Sequence, residues 1–180
     1  MDKSNSVFRM ISTLVIIAVV LAAALAVVNQ KTAPLIEQNS ENQLQESLRG
    51  VMDADTFTIT KESEDLTVYE AKKSGETVGY CVVNTEKGYG GDVKVMTGVD
   101  LDGKVTAIDI LEHSETPGLG ANSTKDEFKN QFKGKQAGIE VVKNSPKEND
   151  IQAISGATIT SKAVTRAVNA AIEQMKEAAK

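Results

Sequence analysis

The sequence predicts an α+β domain, in which an antiparallel sheet packs against helices, preceded by one transmembrane helix. Three features indicate this class: an apolar run near the amino terminus, several short runs in which apolar and polar residues alternate, and a C-terminal segment with helical periodicity. The chain has 180 residues. This length suffices for one anchor and one domain of about 140 residues.

The apolar run spans residues 10–28 and contains only Ser12 and Thr13 as polar members. At about 1.5 Å per residue, a helix over this run just crosses a hydrocarbon core of about 30 Å. A cleaved signal peptide is the alternative, because Ala24-Leu25-Ala26 fits a small-x-small cleavage site. The run exceeds the usual signal-peptide apolar region of about 7–15 residues, which favours a retained anchor.

Charged residues flank the apolar run and predict its orientation. Lys3 and Arg9 precede the run, and Lys31 follows it. By the positive-inside rule, residues 1–9 form a cytoplasmic N-terminus. Either interpretation of the run sends the remainder of the chain to the extracytoplasmic side of the cell (inner) membrane.

Residues 29–52 predict a helical stalk, and residues 53–180 form the domain. Four alternating runs predict strands at Thr67–Ala71, Thr77–Val83, Asp92–Val99 and Lys104–Leu111. Asp102-Gly103 predicts a hairpin between the last two strands. A short helix is expected over Ser123–Phe132 and a further strand over Ile139–Val142.

The segment Ser161–Ala179 has the clearest helical pattern of the domain. Its apolar residues recur on one face of a 3.6-residue period, at Val164, Val168, Ala171, Ile172 and Met175. We therefore expect this helix to pack one face against the sheet.

The composition excludes several classes of function. A formal net charge of -5 gives the chain no electrostatic reason to bind nucleic acid. Cys81 is the only cysteine, which rules out an internal disulfide, a cysteine-type zinc site and an iron–sulfur cluster. Its apolar neighbours predict a small buried strand residue. No metal-ligand cluster or Ser–His–Asp set is visible, so redox chemistry would need a cofactor.

Three glycine-rich stretches interrupt the pattern, at 88–91 (GYGG), 113–120 (HSETPGLG) and 155–161 (SGATITS). A plain turn is the simplest interpretation of any one of them, and of the first in particular. The third leads directly into the C-terminal helix, whose first N–H groups favour a phosphate.

One hydroxyl suffices to cap a helix, whereas the third stretch offers four. They belong to Ser155, Thr158, Thr160 and Ser161, with Gly156 and Ala157 between the first two. From the residues alone, a helix cap and a site for a phosphate-bearing ligand both remain open.

The second stretch offers a carboxylate on Glu115 and a hydroxyl on Thr116. Gly118 and Gly120 would let the backbone approach a flat ligand. His113 could serve as an acid or base, but a structural role is favoured for a lone histidine at a strand end.

The chain resembles the G subunit of the Rnf complex, the ion-translocating ferredoxin:NAD oxidoreductase that is also called the electron transport complex. The resemblance lies in the N-terminal span and in three motifs: GYGGDVKVMTGVDLDGKV (88–105), LEHSETPGLGA (111–121) and AISGATITSKAV (153–164). These features occur in the family order and cover essentially the whole chain.

The resemblance implies FMN as a covalent cofactor, esterified through its phosphate to Thr158 by a flavin transferase that uses FAD. It places Glu115, Thr116, Gly118 and Leu119 near the flavin, and Gly90 is a further candidate for the same site. The chain would be a redox subunit without a substrate of its own. Its partners would be the other membrane and peripheral subunits of a complex that moves Na⁺ or H⁺.

One position departs from the family, which often has an acidic residue three positions before the motif serine. Gln152 stands there, with Asp150 as a potential substitute. Two alternatives stay open. One is the C subunit of the Na⁺-translocating NADH:quinone reductase, a usually longer relative with the same motif. The other is a membrane-tethered module that binds a phosphorylated ligand non-covalently.

Overall fold

The computed structural model describes residues 3–179, without the side chains of residues 3–8, 34, 35 and 37. The helices and strands are α1 (Lys3–Val51), β1 (Thr56–Ser63), β2 (Leu66–Lys73), β3 (Glu76–Lys87), β4 (Asp92–Asp100), β5 (Val105–His113), α2 (Asp126–Lys129), β6 (Glu140–Val142), β7 (Asp150–Gln152) and α3 (Thr158–Ala178). The chain divides into two compact units, Met1–Gln43 and Leu44–Lys180. The predicted α+β class, an antiparallel sheet packed with helices after an apolar helix, is confirmed.

The first unit consists of α1 as far as Gln43. Within the described residues, α1 is the one helix that is long and apolar enough to cross a membrane, judged by length and composition. Its large apolar side chains are exposed, as at Leu25 (69%). Thr13 Oγ1 donates to the Arg9 carbonyl at 2.8 Å, so this hydroxyl is satisfied within the helix. The predicted cytoplasmic segment includes Met1 and Asp2, which lie outside the described residues.

Five strands form one antiparallel sheet in the order β1-β2-β3-β4-β5. The four strands predicted from residues 67–111 are confirmed as β2–β5, with bounds that differ by a few residues. The predicted hairpin is present: Lys104 N–H donates to Asp100 Oδ1 at 2.8 Å, and Gly103 has φ +77°. Strand β1 escaped prediction because it is an edge strand whose residues are mostly polar and exposed.

The sheet of the second unit has apolar side chains on both faces, as strand alternation allows. α3 covers one face with buried residues that pack on the middle strands; the cluster includes Val82, Val95, Val164, Val168 and Ile172. The final residues of α1 cover the opposite face; that cluster includes Leu48, Val51, Tyr69, Cys81 and Met96. Burial of one such large side chain contributes about 1.5–3 kcal/mol.

The end of α1 lies in a depression that two glycines create. A Cβ on Gly98 would lie 2.5 Å from the Val51 carbonyl oxygen, and one on Gly79 would lie 2.7 Å from Met52 Cε. The Thr106 hydroxyl on β5 donates to the same Val51 carbonyl, which satisfies one of the orphan acceptors at the helix end. The last turn of α1 is thereby fixed to the sheet.

The segment between β5 and β6 corrects one prediction. A single helix over Ser123–Phe132 is wrong: a 3₁₀ turn (Gly120–Thr124), the one-turn helix α2 and a second 3₁₀ turn (Asn130–Phe132) replace it. Lys125 interrupts the helix with extended backbone at φ −76°, ψ 144°. Phe128 and Phe132 are both buried, with ring centroids 5.4 Å apart in an edge-to-face contact.

Two further elements position the site. β6 confirms the strand expected over Ile139–Val142, and it pairs in parallel with β7, which was not predicted. α3 begins at Thr158, three residues before the expected start at Ser161. This earlier start places Thr158 in the first turn of the helix.

Candidate functional site

The amino end of α3 presents free N–H groups beside Thr158. Ala157 is the N-cap residue, and no side chain caps the helix there. The first bond of the helix runs from the Ser161 N–H to the Ala157 carbonyl at 3.0 Å. The N–H groups of residues 158–160 precede this bond and have no partner within the helix. Together with the helix dipole they favour an anionic group at this point.

The four hydroxyls of this stretch differ in their surroundings. Ser161 is buried, and its Oγ accepts the Ile154 N–H at 3.0 Å and donates to the Ala157 carbonyl at 3.0 Å. Thr160 Oγ1 is buried and has no hydrogen-bond partner in the described part of the chain. Ser155 is exposed and Thr158 is half-buried. A capping role therefore does not account for Thr158, and Ser155 and Thr158 are the two hydroxyls open to a ligand.

A cavity of about 810 Å³ opens beside this helix start. Its size lies within the range of about 300–1,000 Å³ that is usual for small-molecule sites. Each of the three glycine-rich stretches contributes to its wall. Of the predicted site residues, those that line it are Glu115, Thr116, Leu119, Ser155, Gly156, Ala157, Thr158 and Thr160.

Three predicted site residues support this wall without lining it. Ser161 holds the turn before α3 through its bonds to Ile154 and Ala157. Gly118 has φ +79°, and its carbonyl accepts a hydrogen bond from Asn122 Nδ2 at 2.8 Å. Gly90 packs so closely on the Ser114 carbonyl that a side chain there would clash.

Glu115 joins the first and second stretches. Its side chain is buried, with 6% exposed. Its Oε1 accepts the Tyr89 N–H at 2.7 Å and the Gly90 N–H at 3.3 Å. The carboxylate is thus held by two consecutive backbone donors at the edge of the cavity.

Sequence reasoning missed the wall that β6 and β7 build. Lys143 and Asn144 follow β6, and both line the cavity with Gln152 and Ala153 at the end of β7. The parallel pairing of Val142 with Gln152 brings these segments together. No local signal predicted this pairing, because the two partners are ten residues apart. Gly120, which the sequence offered for the approach of a flat ligand, lines the cavity, as do Tyr89, Ile154 and Ile159, which were not predicted as site residues.

Gln152 stands where the family often has an acidic residue, and Asp150 lies two residues earlier. The two residues have different surroundings in the structure. Gln152 lines the cavity, and its backbone N–H donates to Gln131 Oε1 at 2.8 Å. Asp150 Oδ2 instead accepts the Lys147 N–H at 2.9 Å, and Asp150 does not border the cavity. Asp150 therefore stabilises its own turn and lies outside the cavity wall that Gln152 lines.

Two other reactive residues have structural surroundings. Cys81 is fully buried, and burial raises the pKa of its thiol to about 12, so the thiol stays protonated. His113 Nδ1 accepts the Glu115 N–H at 3.2 Å, as expected for a hydrogen-bonded structural histidine. Within residues 3–179, no group of three or more His, Cys, Asp or Glu side chains is placed to hold a metal ion.

These features define a class, a small α+β domain whose cavity begins at a phosphate-favouring helix end. Residues 88–173 match the family described as FMN-binding domain, and residues 1–51 match the RnfG N-terminal region. The cavity fits FMN, because the N–H groups of residues 158–160 and the open Thr158 hydroxyl would hold its phosphate. Its volume and glycine-rich wall suit a flat ring.

Curated relatives identify the family. The G subunit of the proton-translocating ferredoxin:NAD(+) oxidoreductase complex of Clostridium ljungdahlii is 41% identical over 97% of this chain and 95% of the relative. The G subunit of the Na(+)-translocating complex of Acetobacterium woodii is 42% identical over 93% and 90%. The chain belongs to the family of Rnf complex G subunits, which confirms the resemblance seen in the sequence.

Solved structures agree on the fold. The C subunit of the Na(+)-translocating NADH-quinone reductase from Parabacteroides distasonis aligns with a TM-score of 0.50 and 31% identity over 58% of each chain. NqrC of Shewanella oneidensis aligns with a TM-score of 0.56 and 24% identity over 71% of this chain and 72% of that one.

Proposed function

We propose that this chain is an electron-transfer subunit of a membrane-bound, ion-translocating ferredoxin:NAD⁺ oxidoreductase complex and carries FMN covalently on Thr158. It acts as an electron carrier within the complex, without turnover of its own. Its family membership and its FMN-binding domain support the redox role. The relatives from Clostridium ljungdahlii and Acetobacterium woodii are named for different ions, so we propose ion translocation without assigning the ion.

The observation that carries the covalent proposal is the position of Thr158. It is the first residue of α3, half-buried in the cavity wall, and its hydroxyl has no hydrogen-bond partner among the described residues. A phosphoester on this oxygen would put negative charge next to the N–H groups of residues 158–160. This is the location at which a helix end stabilises an anion.

Each part of the cavity has a separate task. Bound FMN supplies the electron-transfer chemistry through its ring system, while the protein positions it. Thr158 is the tether and has no redox role. Leu119 and Ile159 are 44% and 52% exposed, and both offer apolar contact to a ring. The charged side chains of the cavity lining are Glu115 and Lys143, so the charge near the ring comes from these two groups.

The apolar part of α1 supports a membrane anchor. We propose that residues 10–28 cross the membrane once, with residues 1–9 in the cytoplasm and the FMN domain on the extracytoplasmic side. A covalent tether suits this location, because lost FMN is not easily replaced there. A flavin transferase would attach FMN during maturation, and the other membrane and peripheral subunits would be the electron-transfer partners.

Two alternative functions predict different outcomes. A similar domain occurs in the C subunit of a Na(+)-translocating NADH-quinone reductase, but that structural match covers 58% of this chain, whereas the match to an Rnf G subunit covers 97%. Isolation of the native complex and identification of its subunits separates these two. A module that binds a phosphorylated ligand non-covalently would lose FMN in denaturant.

Intact mass and in-gel flavin fluorescence under denaturing conditions test the covalent bond. We expect the full chain, exported together with a flavin transferase, to carry one FMN. Thr158→Ala should remove the FMN completely, because the ester has lost its oxygen. Ser155→Ala is the matched control, since it deletes the other open hydroxyl of residues 155–161 and should keep the FMN. Retention of FMN by Thr158→Ala would contradict the assignment.

A further inference from the structure

Three of the five large exposed apolar side chains described in residues 44–179 lie at the cavity. Those exposed in residues 44–179 are Ile59, Tyr89, Leu101, Leu119 and Ile159, and the last two of these with Tyr89 line the cavity. Tyr89 is the most exposed of them, at 75%. Single exposed apolar residues are ordinary, but a group at one opening indicates a contact with a ligand or partner.

The backbone of Tyr89 is fixed although its ring is exposed. Its N–H donates to the buried Oε1 of Glu115 at 2.7 Å, and the adjacent Gly90 N–H points to the same oxygen at 3.3 Å. The Gly88 N–H donates to the Gly91 carbonyl at 2.8 Å, which closes the turn that carries Tyr89. A charge-assisted bond to a buried carboxylate is stronger than an ordinary backbone bond. The turn therefore holds the backbone of Tyr89 in one place at the edge of the cavity.

Glycines explain how the Glu115 carboxylate comes so close to these loops. A Cβ on Gly88 would collide with Oε1, and one on Gly120 would collide with Oε2. The Gly120 Cβ would also lie 2.7 Å from Thr160 Oγ1, so Glu115 and the first turn of α3 meet across this glycine. The buried Glu115 carboxylate, which accepts two hydrogen bonds, therefore connects the turn that carries Tyr89 to the amino end of α3, where Thr158 lies.

We propose that Tyr89 stacks on the flavin ring and that Glu115 is the positioning residue that holds it there. This inference rests on the proposed function, because it takes FMN as the occupant of the cavity. Aromatic rings prefer offset stacked or edge-to-face contact with other π-systems. Leu119 supports the location of the ring: a Cβ on Gly156 would lie 3.0 Å from Leu119 Cδ2, so this apolar side chain lies over the turn before Thr158.

Flavin fluorescence tests the stacking, because a phenol in contact with an excited flavin donates an electron and quenches the emission. The sample is the full chain in detergent with covalent FMN, and its flavin content is fixed first by intact mass. We expect Tyr89→Leu to lengthen the fluorescence lifetime several-fold, and Tyr89→Trp to keep it short because indole also stacks and quenches. Leu101→Ala, an exposed apolar residue away from the cavity, is the control and should leave the lifetime unchanged.

The positioning role has its own pair of variants. Glu115→Ala removes the acceptor for both N–H groups and should lengthen the lifetime although Tyr89 is still present. Glu115→Gln keeps a carbonyl oxygen for those donors and should restore much of the quenching. If Glu115→Ala does not accumulate as folded protein, the Tyr89 variants still decide the stacking, and a long lifetime in Glu115→Gln would overturn the positioning role.

The outcomes separate this inference from the proposed function. A Tyr89→Leu protein with full covalent FMN and the wild-type lifetime would overturn the stacking. A Glu115→Ala protein with full FMN and the wild-type lifetime would overturn the positioning role alone. Absence of FMN from the wild-type chain would overturn the proposed function and this inference with it.

Discussion

At the scale of single residues, identical hydroxyl groups in one turn have different fates because their surroundings differ. Ser161 uses its oxygen to hold the Ile154 N–H, and Thr160 is buried. Thr158 alone combines partial exposure with a position at the start of α3. The sequence predicted the group of hydroxyls, and the family resemblance selected Thr158. The burial that distinguishes them depends on tertiary packing, which no local pattern reports.

The Cys81 thiol predicts a pH dependence of stability. Burial raises its pKa from 9.0 to about 12 in the folded protein. The folded state therefore keeps a proton that the unfolded state loses. Rising pH thus stabilises the unfolded state relative to the folded state. The contribution of the buried thiol to the free energy of unfolding is complete below about pH 9 and is lost as the pH rises toward about 12.

Urea unfolding of wild type and Cys81→Ala measures this contribution between about pH 8 and pH 10.5. The pKa of Tyr69 is also raised, by burial first and then by Glu62, so both proteins should lose stability at high pH. We expect the free energy of unfolding to fall more steeply with pH in the wild type than in Cys81→Ala. Parallel decreases in the two proteins would show that Cys81 does not hold its proton in the folded state.

At the scale of elements, the contact between the end of α1 and the sheet depends on glycines that leave room for it. Gly98→Ala should destabilise the domain by about 1–3 kcal/mol, because the added methyl would press on the Val51 carbonyl and the Thr106 hydroxyl. Gly50→Ala is the matched control, with nothing within 4 Å of its Cβ, and should stabilise the helix by about 0.5–1 kcal/mol. Urea unfolding of the full chain in detergent measures both. Equal changes in the free energy of unfolding for the two substitutions would show that Gly98 does not make room for the end of α1.

The elements that could be predicted are those with a local pattern. The apolar period of α3 and the alternation of β2–β5 were sufficient to predict them. The start of α3 at Thr158 was missed, because the first residues lack the apolar period and are set by the Gly156 turn. The short strands β6 and β7 depend on each other, so their parallel pairing could not be read from either segment alone.

At the scale of the whole molecule, the second unit begins at Leu44, inside α1. Leu48, Val51 and Met52 cover the sheet face that contains Cys81 and Met96. We expect a fragment of residues 44–180 to unfold cooperatively, and a fragment of residues 53–180 to be several kcal/mol less stable, because loss of a buried large side chain costs about 2–5 kcal/mol. Urea unfolding and dye binding to exposed apolar surface compare the two. Equal stability would show that the end of α1 is not part of the domain.

The site also belongs to the whole-molecule scale, because its wall is assembled from distant segments. The glycine-rich stretches and their hydroxyls were visible in the sequence as candidates. Lys143 and Asn144 were not, since they enter the wall only through the pairing of β6 with β7. Tyr89 escaped prediction because an aromatic residue in a glycine turn has no pattern that separates it from an ordinary surface residue.

Peptide mass spectrometry tests the central claim most directly. Tryptic cleavage after Lys147 and Lys162 releases residues 148–162, whose hydroxyls are those of Ser155, Thr158, Thr160 and Ser161. Fragmentation of this peptide from the denatured, matured protein should place one FMN phosphoryl group on Thr158. An unmodified peptide, or an FMN on any of the other three oxygens, would contradict the account.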